Sequence, residues 1–112
     1  MIARFWTARI AKAHAPAYAD HLKSQVLATL RSVDGYIGAK LLERETADGV
    51  GIVVITFWQS LDSIEKFAGP DLEKAVVSDE VVSLFLQYDR HVRHYEVVVT
   101  DDVSAGISGR RE

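Results

Sequence analysis

The chain contains no cysteine, which removes disulfide staples, thiolate metal sites and cysteine nucleophiles together. It also lacks a basic surplus. Lys and Arg number 13 against 16 Asp and Glu, a formal net charge of -3, so nothing offers a stripe able to neutralise a phosphate backbone, and nucleic acid is not an expected partner. No apolar run approaches the roughly 18 residues of a membrane span. Met1-Ile2-Ala3-Arg4-Phe5-Trp6 has no basic region leading into an apolar stretch of the kind that marks a secretory signal. The expectation is a cytoplasmic protein without a membrane partner.

What is present is ordinary globular material: 48% hydrophobic and 26% charged residues in 112 positions, enough for one core and not for two. Residues 1–100 are expected to form that one domain. Residues 101–112, with Gly106, Gly109 and little apolar content, read as a loose tail, and Asp101-Asp102 as a solvated acidic pair.

Ile2 to Ala8 mixes β-branched and aromatic side chains in a short run that suits a central strand. Pro16 then sits where a first helical turn tolerates a missing N–H, and Tyr18, Leu22, Val26, Leu30 and Val33 form an apolar helical stripe that stops at Asp34-Gly35. Tyr36 to Glu45 and Gly51 to Trp58 read as two strands joined by the turn chemistry of Thr46-Ala47-Asp48-Gly49. Ser60 precedes a short helix from Leu61 to Ala68, closed by Gly69-Pro70. Asp71 to Val77 and Asp79 to Leu86 read as further helical pieces, and His91 to Thr100 as the last strand.

The order β-α-β-β-α-β is that of an α+β, ferredoxin-like fold: an antiparallel four-stranded sheet in the order 4-1-3-2 with its helices on one face. Leu41, Val53, Ile55, Phe57, Val97 and Val99 are too many apolar side chains for one covered and one wet face. The second face is therefore expected to meet the sheet of a second copy, making a homodimer.

Three segments carry a family resemblance: Ile2-Ala3-Arg4-Phe5-Trp6; Val54 to Ile64, in which an aromatic residue closing the third strand leads into a helix; and Phe67 to Val77 followed by Tyr88-Asp89 and His94-Tyr95-Glu96-Val97. In this order they are similar to an uncharacterised bacterial branch of the antibiotic-biosynthesis monooxygenase superfamily, over Met1 to about Thr100. The resemblance implies a dimeric α/β barrel. Characterised members include cofactor-independent oxygenases of polycyclic phenols and a related set that binds and degrades haem. In both, a Trp at the end of the third strand lines the pocket, and Trp58 matches it. Both commonly carry a polar amide in the first strand, where this chain has Trp6 or Thr7. The haem-degrading set uses an axial His near the second helix, and no His lies between Ile64 and Arg90, so haem degradation is disfavoured and no cofactor is expected.

Antiparallel pairing of the first and last strands would set Arg4 opposite Glu96 and Trp6 opposite His94. On the functional reading His94 is a general base that takes a phenolic proton, so that the anion reacts with dioxygen. On the plainer reading the group is a cross-strand pair at a dimer interface, serving register. Trp58 and Trp6 are candidates to flank a flat aromatic substrate, with Phe67 and Tyr88 on the opposite wall, and packing is the competing role for each. His14 and His21 read as solvated or capping residues. His91 and His94, three apart on a strand, face opposite ways and make no metal site. Two functions remain open: a cofactor-independent monooxygenase of a small aromatic or quinol-type substrate, or a non-catalytic dimeric barrel that binds a small apolar ligand.

Overall fold

The structure, a computed structural model, describes residues 1–102. The tail expected beyond Thr100 falls outside the described residues, apart from exposed Asp101 and Asp102.

Strand β1 (Ile2–Ile10) is the middle of the sheet, as its run of β-branched and aromatic residues requires. One edge pairs antiparallel with β3 (Gly49–Trp58) along its whole length, from Ile2 opposite Trp58 to Ile10 opposite Val50. The hairpin partner β2 (Tyr36–Thr46) lies beyond β3, joined to it through Ala47 and Asp48. Thr46 Oγ1 donates to Asp48 Oδ1 at 3.1 Å, and Arg9 forms an ion pair with the same carboxylate. The order β2-β3-β1-β4 is the ferredoxin-like order, and the helices cover one face.

The other edge of β1 corrects the expected last strand. Two short strands share it: β4 (Phe85–Tyr88) against Ala8 to Ile10, and β5 (Arg93–Glu96) against Ile2 to Phe5. Asp89 is the reason for the break. Its carbonyl accepts from Trp6 Nε1 at 2.7 Å, its carboxylate accepts from Thr7 Oγ1 at 2.6 Å, and its N–H donates to the Thr7 carbonyl at 3.0 Å. The chain is pinned there and loops away before β5 begins. Helix expected to reach Leu86 therefore stops as a single turn, α4 (Asp79–Val82), and Leu86 is the bulged residue between Phe85 and Gln87.

The expected helix over 71–77 does not form, because its backbone groups are taken elsewhere. The Glu73 carbonyl accepts from the Val92 N–H, the Ala75 N–H donates to the Arg90 carbonyl, and the carbonyls of Leu72 and Lys74 accept from the Arg4 side chain. Residues 69–78 form an irregular wall instead.

The first helical region is present but is not one regular helix. A 3-10 turn (Lys12–His14) leads into α1 (Ala15–His21), a π turn (Leu22–Val26) and α2 (Leu27–Arg31), with Pro16 in the first turn of α1 as expected. The stripe Tyr18, Leu22, Val26, Leu30 repeats every four residues, which drifts by about 40° per step on a regular α-helix. The wider π turn absorbs that drift and keeps the stripe over the sheet. At Gly35, φ is +94°, and a Cβ there would lie 1.9 Å from Ser63 Oγ of α3 (Leu61–Ala68), so glycine is required both by conformation and by space.

Alternation along β1 and β3 divides the sheet into two faces. Trp6, Ala8, Ile10, Val50, Ile52, Val54 and Trp58 pack beneath the helices in two clusters, one with Tyr18 and Val81, the other with Leu30 and Ile64. Leu41 also packs on this side. Phe5, Val53, Ile55 and Phe57 lie on the opposite face, where no helix among the described residues covers them. Leu42 there is 47% exposed and Tyr95 51%. No helix among the described residues is long and apolar enough to cross a membrane.

Candidate functional site

Between the sheet and the stripe of α1 and α2 lies a cavity of about 70 Å3. Tyr18, Leu22, Val26 and Leu30 form its helical side, Trp6, Val54 and Thr56 its floor, and Phe67 of α3 with Val76 to Ser78 of the irregular segment its wall. Its polar groups are few: Arg4, His21, Thr56 and Ser78 among apolar neighbours. An apolar pocket with a few convergent polar groups is the usual form of a small-ligand site, though this volume is well below the roughly 300–1,000 Å3 of drug-sized pockets.

Arg4 is the unusual member. It occupies an inward position of the central strand, 5% exposed, where a cation is costly unless compensated. Its Nη1 donates to the Leu72 carbonyl at 2.7 Å and to His94 Nε2 at 2.9 Å, and its Nη2 donates to the Lys74 carbonyl at 3.0 Å. Burial brings its pKa down to about 10, which leaves it charged at neutral pH. The guanidinium carbon also sits 5.9 Å from the centre of the Phe67 ring, in cation–π range. Arg4 thereby holds the wall at 72–74 against the sheet.

The register corrects the expected pairing. Arg4 lies opposite His94, and it is Ile2 that lies opposite Glu96. Trp6 is beyond the end of β5 and faces Asp89. The shift is two residues, so every side chain keeps its expected face.

His94 does not line the cavity. It sits behind Arg4 in an open polar cleft with Glu73, His91, Arg93 and Tyr95. Burial, and then the charge of Arg4, push its pKa below the ordinary histidine value, against an upward pull from Glu73. With Nε2 accepting from Arg4, the neutral ring carries its proton on Nδ1.

Trp58 is fully buried and also outside the cavity lining. Its Nε1 donates to Thr56 Oγ1 at 2.8 Å, and its ring stacks on Phe67 with centroids 5.8 Å apart. It positions two residues that do line the cavity. Tyr88 packs against Phe85 and under Arg90, away from the space. The structure thus brings Arg4, Trp6 and Phe67 together at the cavity and leaves His94, Trp58 and Tyr88 behind it.

His21 reads as a solvated or capping residue from the sequence, and the structure places it at the cavity instead. Its side chain is only 12% exposed, lines the cavity, and has Nδ1 4.0 Å from Glu80 Oε1 of α4. The signal that could have found it is its position three residues after Tyr18, on the edge of the helical stripe. Tyr18 beside it is a buried phenol whose pKa is pushed up to about 12, so it stays protonated. Thr56 and Ser78 are further lining residues that the sequence reading does not single out. Thr56 faces inward because alternation along β3 puts it with Val54 and Trp58. Ser78 is held at the cavity as the cap of α4, its Oγ accepting from the Glu80 N–H at 3.2 Å.

A ferredoxin-like sheet with helices on one face and a small pocket between the layers defines an α+β domain of the ferredoxin-like class. The chain belongs to the antibiotic biosynthesis monooxygenase family, whose sequence pattern matches residues 1–79. No curated protein matches it. Among solved structures it is similar to a candidate antibiotic biosynthesis monooxygenase from Bacillus cereus, at 13% identity and a TM-score of 0.66, over 93% of this chain and 97% of that one. It is also similar to a point mutant of MhuD, solved with two manganese protoporphyrin IX molecules per active site, at 14% identity and a TM-score of 0.65, over 92% and 100% of the two chains. At these identities the likeness establishes the fold alone.

Proposed function

We propose that the cavity beneath α1 and α2 is a small-molecule site and that the protein is a cofactor-independent monooxygenase of a small phenol- or quinol-type substrate, working as a homodimer. The observation that carries this reading is that a buried cation, Arg4, and an imidazole, His21, line one space whose other walls are mostly aromatic and aliphatic.

In such a site His21 accepts the phenolic proton and Arg4 stabilises the resulting phenolate, with Thr56 and Ser78 offering hydroxyls to the same space. The electron-rich ring then supplies all four electrons that dioxygen takes up. One oxygen atom enters the ring, the other leaves as water, and a phenol becomes a quinone with no reductant from outside. Trp6 and Phe67 hold the ring between them. The limited volume favours a single ring over a polycyclic substrate.

The dimer follows from the open sheet face, where Phe5, Val53, Ile55 and Phe57 sit beside half-exposed Leu42 and Tyr95. Covering it with a second sheet removes this surface from water.

A non-catalytic binder is the second reading, favoured by one observation: the only indole N–H on β1 is already committed to the Asp89 carbonyl, so β1 supplies no neutral donor to the cavity. Oxygen-electrode measurements with a panel of simple phenols, hydroquinones and anthrone-like compounds decide between the two. Uptake that depends on protein and is lost in His21→Ala supports the enzyme. Binding without uptake supports the binder. A parallel haemin titration, followed by its visible absorbance, tests whether a ligand larger than this cavity is taken at all.

A further inference from the structure

We infer that the ligand of this cavity carries an oxyanion: a compact apolar body whose carboxylate or phenolate oxygen pairs with Arg4. The inference rests on the reading of the cavity as a small-molecule site and names the chemical class the site selects.

Arg4 is 95% buried yet has no carboxylate within 4.0 Å among the described residues. Its three recorded partners are two carbonyls and one neutral imidazole nitrogen. These satisfy hydrogen bonds without cancelling the charge. A guanidinium has five N–H donors, so two have no acceptor among the described residues, on a residue that lines the cavity.

A buried cation with no carboxylate partner among the described residues is among the costliest features a small domain can carry. Holding the wall at 72–74 does not require a positive charge, because carbonyls accept equally from neutral donors. An anionic ligand supplies the counter-charge that the described residues do not. Fork geometry suits it to a carboxylate, which takes two parallel N–H bonds, and equally to a single phenolate oxygen. The remaining lining selects an apolar body, with Trp6 and Phe67 against its faces.

The test compares matched anionic and neutral probes on the purified full-length protein: benzoate with benzamide, and 4-nitrophenolate with 4-nitroanisole. Binding is followed by calorimetry and by the indole N–H resonance of Trp6. The expected result is at least tenfold tighter binding of the anion in one or both pairs, with the Trp6 signal shifting. Benzoate and 4-nitrophenolate separate the carboxylate from the phenolate source. Arg4→Gln should abolish the preference and retain weak neutral binding, and Arg4→Lys should restore part of it. Should Arg4→Gln fail to fold, the wild-type comparison and Arg4→Lys still decide the matter. Equal binding of anion and neutral partner overturns the oxyanion inference and leaves the cavity reading intact. No binding of any of the four probes overturns both.

Discussion

Arg4 and His94 face each other across the β1–β5 pairing, with the guanidinium Nη1 2.9 Å from the imidazole Nε2. The histidine is an acceptor in this pair, so its protonation would set two donors and two positive charges against each other. It is a positioning residue for Arg4 rather than a group that reaches the cavity.

A pH dependence of stability follows. The folded-state pKa of His94 lies below its ordinary value of 6.5, so the unfolded chain binds the proton more readily. The stabilising contribution is therefore complete above pH 6.5 and is lost progressively as pH falls toward the lowered folded value. Urea midpoints measured between about pH 5 and 7.5 should fall on the acid side. In His94→Gln, whose amide oxygen can still accept from Arg4, that slope should be shallower. Equal slopes in the two proteins would remove His94 as its source.

Trp58→Phe tests the support beneath the site. The substitution removes the 2.8 Å bond to Thr56 Oγ1 and leaves unfilled space in a core where Trp58 is wholly buried. A loss of about 1–3 kcal/mol in urea unfolding is expected. An unchanged midpoint would show that the indole contributes nothing specific there.

The open sheet face gives a third prediction. Wild-type protein should sediment as a dimer at micromolar concentration, and Phe57→Glu, which places a charge among Phe5, Ile55 and Tyr95, should sediment as a folded monomer. A wild-type monomer across that range contradicts the proposed assembly.

Two glycines provide an internal control on packing. Both have positive φ, +94° at Gly35 and +85° at Gly69, but a Cβ at Gly35 meets Ser63 Oγ at 1.9 Å whereas one at Gly69 meets nothing within 4 Å. Gly69→Ala should show backbone strain alone, on the order of 1–3 kcal/mol. Gly35→Ala should lower the thermal midpoint further, and equal losses would mean that α3 shifts freely to accommodate the methyl group.

Much of this molecule is legible in local pattern. The Asp34-Gly35 and Ala47-Asp48 turns, the stripe of the first helical region, Ser60 as the cap of α3 and the order of the sheet all follow from short-range chemistry, and all are present. The segment 71–77 misleads because Leu72 to Val77 resembles a helix in composition, while the acceptors and donors that claim its backbone lie about 70 residues upstream at Arg4 and about 17 downstream at Arg90 and Val92. Tyr88 misleads for a related reason: Asp89 breaks the final strand through contacts with Trp6 and Thr7 that no local window contains.

The sequence by itself determined which elements form along most of the chain, their order and the face each strand residue takes, because those depend on periods of two or about four residues and on glycine, proline and capping side chains. Register was beyond it. A slip of two residues leaves the alternation of apolar and polar faces unchanged, so the pattern cannot distinguish Arg4 opposite Glu96 from Arg4 opposite His94. Only the tertiary structure decided that Arg4 is a buried cation without a carboxylate partner among the described residues, and that His21 joins it at the cavity.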